Sequence, residues 1–134
     1  MDDRTAPKRS SQRFANYGKA LLQLERFISK QPLNEMEEQG LIQSFEYTYE
    51  LAWKTLQDLL RELGYQDIAG PRTVIERAFG NGILLDGDAW MRMFKDRNLT
   101  SHTYDEATAK EIIEHIRGEY LALFQGLRRT LRKD

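Results

Sequence analysis

Glu35-Met-Glu-Glu-Gln-Gly-Leu-Ile-Gln-Ser-Phe-Glu-Tyr-Thr-Tyr-Glu-Leu-Ala-Trp-Lys-Thr-Leu-Gln-Asp-Leu-Leu-Arg-Glu-Leu63 sets the scale of the fold. Leu41, Phe45, Tyr49, Ala52, Leu56, Leu59 and Leu63 recur every three or four residues, the period of a helix with one apolar stripe. Gly64 follows at the position where a helix C-terminus favours a left-handed residue. At ~1.5 Å per residue such a helix is roughly 40 Å long and fixes the height of a bundle. Ile42, Trp53 and Leu60 widen the apolar arc beyond a single seam. So wide a face predicts two neighbours, one from the same bundle and one from another subunit.

Shorter segments on either side supply the remaining helices. Phe14, Tyr17, Leu21, Leu24 and Ile28, spaced 3-4-3-4, form the seam of a helix lying nearly parallel to its neighbours. Ser10 or Ser11 fits as its cap, and Gln31-Pro32 ends it, because proline disfavours helix in the residue before it. Gly70-Pro71 opens a short helix carrying Val74, Ile75, Ala78 and Phe79, with Pro71 at its first position, and Gly80-Asn-Gly82 stops it. Asp86 reads as the N-cap of a helix with Trp90, Met93 and Phe94 on its apolar side. Asp86-Gly-Asp88 lacks the later ligands of a calcium loop, which favours capping over metal binding. The last helix opens with Thr103-Tyr-Asp-Glu106, a capping-box spacing that puts Thr103 at the N-cap. It continues through Ile112, Ile116, Tyr120, Leu123, Leu127 and Leu131. No segment alternates like a strand. The expected architecture is all-α, an antiparallel up-and-down four-helix bundle with a short extra helix. One domain over residues 1–134 is expected, with its core from about residue 14 to residue 127 and flexible charged ends.

Composition narrows the function classes. Charged residues make up 31% and apolar residues 40%, which fits a folded helical protein and not a disordered chain. A net charge of −1 argues against a general nucleic-acid coat while leaving room for a local basic groove. Lys8, Arg9 and Arg13 near the start, and Arg128, Arg129, Arg132 and Lys133 near the end, read as solvated tails. The absence of cysteine excludes a disulfide framework, a thiol nucleophile and a Cys-based zinc site. No apolar run approaches the ~20 residues that span a bilayer, and the start has no signal-peptide core. A cytoplasmic protein without membrane contact is therefore expected. There is no glycine-rich phosphate loop and no nucleotidyltransferase carboxylate pattern, so the chain should not itself transfer nucleotides, and no cofactor is expected.

Chemistry concentrates in Arg97-Asn-Leu-Thr-Ser-His102-Thr-Tyr104. Arginine grips phosphate bidentately, histidine moves protons near neutral pH, and tyrosine offers a phenol that can donate a hydrogen bond or be modified. On one continuous helix Arg97 and His102 would point about 140° apart, and His102 and Tyr104 about 160° apart. Three groups on three faces cannot meet one substrate. A helix ending near Leu99–Ser101, with another starting at Tyr104, would let them converge. Such a trio suits metal-independent RNA cleavage, in which a ribose 2′-OH attacks the adjacent phosphate with help from a base, an acid and a cation. Arg97 would hold the phosphate and His102 would serve as acid or base. The motif carries one histidine, so a two-fold dimer would supply the second proton carrier.

Several other residues bear on this site. Glu46, Glu50 and Lys54 follow i, i+4, i+8 on the long helix; the two carboxylates either orient Arg97 or His102 across the bundle or form an ordinary charge ladder. Asp96 beside Arg97 reads as a solvent ion pair before a general base. His115 sits near Glu111, Glu114 and Glu119 in sequence and reads as a solvated or salt-bridged residue. Trp53, Trp90 and Phe94 could stack on bases, but their helical spacing places them in the core. No metal site is expected.

The motif inside Asp96-Arg-Asn-Leu-Thr-Ser-His-Thr-Tyr-Asp105 resembles the Arg-x4-His-x-Tyr signature of HEPN-domain proteins of the HepT-like toxin branch. These proteins are also known as nucleotidyltransferase substrate-binding proteins. Phe45-Glu-Tyr-Thr-Tyr-Glu-Leu-Ala-Trp-Lys54 is similar to the family's long second helix. Gly70-Pro-Arg-Thr-Val-Ile-Glu-Arg-Ala-Phe79 is similar to the segment that follows it, with Trp90 downstream. The resemblance runs from about Phe14 to Leu127. It implies a dimeric, or higher oligomeric, four-helix bundle acting as a ribonuclease toxin with Arg97 and His102 as catalytic pair. It also implies a minimal nucleotidyltransferase partner, an antitoxin that silences the toxin by transferring AMP to Tyr104. The same resemblance allows a non-enzymatic subunit that binds the substrate of a two-component nucleotidyltransferase.

Overall fold

The computed structural model describes residues 9–102 and 105–132. The chain runs through α1 (Arg9–Ser29), α2 (Glu35–Glu62), α3 (Pro71–Gly80) and α4 (Gly87–Leu99). A 3-10 turn (Thr100–His102) follows, then α5 (Glu106–His115), a π-helical segment (Ile116–Tyr120) and α6 (Leu121–Leu131). No strand occurs among the described residues. The last three segments form one rod, which with α1, α2 and α4 makes the antiparallel four-helix bundle; α3 is the short extra helix.

Side-chain contacts fix the helix directions. Arg13 meets Asp58, the Thr48 hydroxyl donates to the Ala20 carbonyl, and Gly40 sits beside the Phe27 ring, so α1 and α2 run antiparallel. The Tyr17 hydroxyl donates to the Phe124 carbonyl at 2.6 Å and Arg117 donates to the Ile28 carbonyl at 2.6 Å, which sets the rod antiparallel to α1. Phe124 is the hub of the core. Its ring lies 6.3 Å from Tyr17, 6.1 Å from Phe45 and 5.9 Å from Trp90, joining α1, α2 and α4 to α6. Edge-on and tilted ring pairs of this kind add to the free energy of burial.

Local chemistry explains most helix ends. At the start of α2 the Asn34 side chain accepts from the Glu37 amide while the Glu37 carboxylate accepts from the Asn34 amide, a complete capping box. Lys30 pairs with the same carboxylate. At its other end the Gly64 amide donates to the Arg61 carbonyl and the Tyr65 amide to the Leu60 carbonyl. That is a Schellman ending, and Gly64 holds the required positive φ of 105°. Pro71 opens α3, and Asp86 caps α4 by accepting from the Ala89 amide at 3.0 Å.

Four expectations need correction. Ser10 lies inside α1, where its hydroxyl donates to Glu62 at 2.6 Å instead of capping the helix. The N-cap of α5 is Asp105, which accepts from the Ala107 amide and the Thr108 hydroxyl, so the helix starts at Glu106 and not at Tyr104. Thr103 itself lies outside the described residues. The wide arc of α2 does not need a second subunit: Ile42, Trp53 and Leu60 are buried within one chain, and α1, α3 and α5 all pack on this helix. Past the π segment, Phe124 takes the core position expected of Leu123, which is only partly buried.

Candidate functional site

The middle of α2 faces the end of α4 and the 3-10 turn. Arg97 occupies the last turn of α4, where a cation also complements the helix dipole. Its Nη1 donates to the Thr100 hydroxyl at 2.9 Å and stands 3.3 Å from a Glu46 carboxylate oxygen. Thr100 is 5% exposed, and its hydroxyl lies 2.5 Å from that carboxylate oxygen and 2.7 Å from the Arg97 carbonyl. Two acceptors therefore stand within reach of one hydroxyl proton. The Arg97 side chain as a whole remains one-third exposed.

His102 closes the 3-10 turn and is exposed to solvent. The break between helices expected from the motif is present, with Arg97 on one side and His102 in the connector. Tyr104 lies outside the described residues. Among the described residues no cluster of histidine and acidic groups is suited to hold a metal ion.

The other sequence candidates separate. Glu46 touches Arg97, whereas Glu50 pairs with Lys54 at 3.4 Å and accepts from the Trp53 indole at 3.2 Å. One helical turn of separation sends the second carboxylate away from the site. Asp96 also points elsewhere, since it lies about 100° around α4 from Arg97. One of its oxygens accepts from the Tyr120 hydroxyl at 2.5 Å and meets His115 Nδ1 at 2.6 Å. His115 thus meets a carboxylate, but its partner is Asp96 and not one of the glutamates near it in sequence. Burial and this bond to Asp96 push the Tyr120 phenol well above its ordinary range.

Neither Thr100 nor Tyr49, a member of the apolar stripe of α2, stands out in the sequence as a site residue. Thr100 lay inside the motif, but its partner Glu46 is 54 residues away in the chain. Tyr49 is 1% exposed, and burial, with a smaller contribution from Glu50, pushes its phenol well above the ordinary value while the Arg97 charge pulls it down.

Comparisons with known proteins bear on this arrangement. The family described as "Nucleotidyltransferase substrate binding protein like" matches residues 12–133. A Haemophilus influenzae protein named "Probable ribonuclease HepT" is 33% identical over 81 residues, or 58% of this chain. The match spans 56% of that relative's length. A crystal structure from Thermus thermophilus is similar with a TM-score of 0.79 and 35% identity, covering 87% of this chain and 99% of that one. A second structure, from Haemophilus influenzae, is described as the fold of a substrate binding domain of a nucleotidyltransferase. It aligns with a TM-score of 0.69 and 26% identity, covering 92% of this chain and 97% of that one.

Proposed function

Because the chain belongs to the family of nucleotidyltransferase substrate binding-like proteins, we propose that it is the ribonuclease toxin of a toxin–antitoxin pair whose other half is a minimal nucleotidyltransferase. The observation that carries this reading is Arg97, braced by Thr100 and Glu46 yet one-third exposed, five residues before an exposed histidine on a helix break. The relative named as a ribonuclease supports it.

In the proposed reaction a ribose 2′-OH attacks the adjacent phosphorus. The O2′–P bond forms, the P–O5′ bond breaks, and the product end is a 2′,3′-cyclic phosphate. Arg97 offsets the charge gathering on the phosphate oxygens. His102 takes or gives the proton, and a second copy of the chain supplies the other imidazole. No metal ion takes part. Transfer of AMP to Tyr104 would place a bulky anion two residues from His102 and silence the site.

The test uses purified full-length protein and single-stranded RNA in the presence of a chelator. Cleavage with cyclic phosphate ends is expected, and His102→Ala should lose at least about a hundredfold in rate with an unchanged helical spectrum. Full activity in that variant removes His102 from the mechanism. The second reading, a non-enzymatic subunit presenting substrate to a nucleotidyltransferase, draws on the description of the Haemophilus influenzae structure. It predicts binding to the partner without any RNA cleavage. Intact mass after incubation with the partner and ATP tests Tyr104 separately: one added AMP in the parent protein and none in Tyr104→Phe is the expected result.

A further inference from the structure

Buried hydroxyls in this fold are almost all accounted for. Tyr17 donates to a carbonyl, Tyr120 to Asp96, Ser10 to Glu62, and Thr48 and Thr55 to carbonyls one turn back on α2. Two buried side-chain atoms among the described residues have no hydrogen-bond partner: the Tyr49 hydroxyl and Nε of Arg97.

Both atoms belong to side chains linked through Glu46. Tyr49 follows Glu46 by three residues, which places both on one flank of α2. Glu46 is the carboxylate beside Arg97 Nη1, and the Arg97 charge acts on the Tyr49 phenol. A buried N–H without an acceptor and a buried hydroxyl without a partner are each costly, and they are chemically complementary. A hydrogen bond from one to the other would satisfy both.

We propose that Tyr49 is a positioning residue for Arg97, its hydroxyl accepting Arg97 Nε–H when the two Nη groups turn from Thr100 and Glu46 to a phosphate. The inference rests on Arg97 as the phosphate-binding group proposed above. With Nε facing the interior, the end-on edge formed by Nη1 and Nη2 is the one left for a ligand. A tyrosine suits the task because burial keeps it protonated. A neutral phenol orients the guanidinium without cancelling its charge, whereas Glu46 must release the arginine before the full charge can act on a phosphate.

The test follows the Arg97 Nε–H resonance by NMR in the full chain labelled with nitrogen-15 arginine, assigned by its disappearance in Arg97→Lys. The probe is a single-stranded 2′-O-methyl RNA oligonucleotide, which keeps its phosphates and cannot be cleaved through the 2′ oxygen. In the parent protein the oligonucleotide should shift this proton and slow its exchange with water. In Tyr49→Phe, which keeps the packed ring, the shift should vanish and exchange should be about tenfold faster. With cleavable RNA, Tyr49→Phe should lower kcat about tenfold with KM within twofold, the rate equivalent of one net hydrogen bond. Tyr49→Phe should cause no further loss in the Arg97→Lys background, because lysine has no Nε–H; additive losses would mark a merely structural role. Unchanged exchange and an unchanged shift in Tyr49→Phe overturn the inference, as does a parent resonance that ignores the oligonucleotide. If the parent binds the oligonucleotide with the expected shift but cleaves no RNA, the ribonuclease reading fails and the Tyr49 contact stands.

Discussion

Thr100 shows how much a single hydroxyl can organise. It accepts from Arg97 and lies within bonding distance of both Glu46 and the Arg97 carbonyl, tying α4 to α2 at the motif. Thr100→Val keeps the shape and removes all of this. The expected cost is about 1 kcal/mol of stability in denaturant melts, and cleavage about tenfold slower, because Arg97 is then held by Glu46 alone. Thr100→Ser should restore most of both; a valine variant of full activity would show that Arg97 needs no brace. At this scale the sequence was half legible. Residue type and spacing singled out Arg97 and His102, and the repeated carboxylates on α2 pointed to Glu46. Nothing local separates Glu46 from Glu50, because the choice depends on which carboxylate meets α4. Asp96, read as an ion pair beside Arg97, finds its partners elsewhere: adjacency in the chain is not adjacency on a helix, and it meets His115 and Tyr120.

The helices themselves were far easier to read than their joints. The lengths of α2 and α3, the start at Pro71 and the cap at Asp86 follow from local rules that act within one turn. Gly64 belongs to the same class. With φ at 105° and open space around its Cβ position, its only constraint is conformational. Gly64→Ala should therefore cost about 1 kcal/mol through backbone strain alone, read as a lower denaturation midpoint with an unchanged slope. Gly80→Ala, at a glycine without positive φ and with open space around it, is the control expected to cost less. The start of α5 resisted prediction because two capping residues stand two positions apart. Asp105 prevails with two bonds of its own, to the Ala107 amide and the Thr108 hydroxyl, after the 3-10 turn has carried the chain to His102. The rod hid a subtler feature. Ile112, Ile116, Tyr120 and Phe124 are all buried, three successive spacings of four. An α-helix at 3.6 residues per turn would drift off that line, and the wider π segment keeps the residues in step.

For the whole molecule, burial of phenols sets the response to alkali. Tyr17 and Tyr49, and Tyr120 beside Asp96, all have pKa values raised above the ordinary 10, with burial the largest cause in each case. Above pH about 10 the unfolded chain releases these protons while the folded chain keeps them. The folded state then binds more protons, so stability falls as pH rises through that range and is unaffected by these groups below it. Denaturation midpoints should be level from about pH 8 to 9.5 and drop above 10, with a shallower drop in Tyr17→Phe. A midpoint indifferent to alkali would contradict the burial of these rings. The hub at Phe124 gives this scale its cohesion, since it ties α6 to α1, α2 and α4.

The π segment has a mechanical consequence. Ahead of it, α5 starts at the Asp105 cap, three residues past His102, and His115 at its end meets Asp96, the neighbour of Arg97 on α4. Behind it, α6 is indexed to the core through Phe124. The widened turn therefore acts as a gear between two phases of one rod. Losing a single residue there would rotate everything downstream by about 100° relative to everything upstream. Either the hub would leave the core or the motif would lose its alignment. The length of chain between Ile116 and Tyr120 thus couples the geometry of the motif to folding.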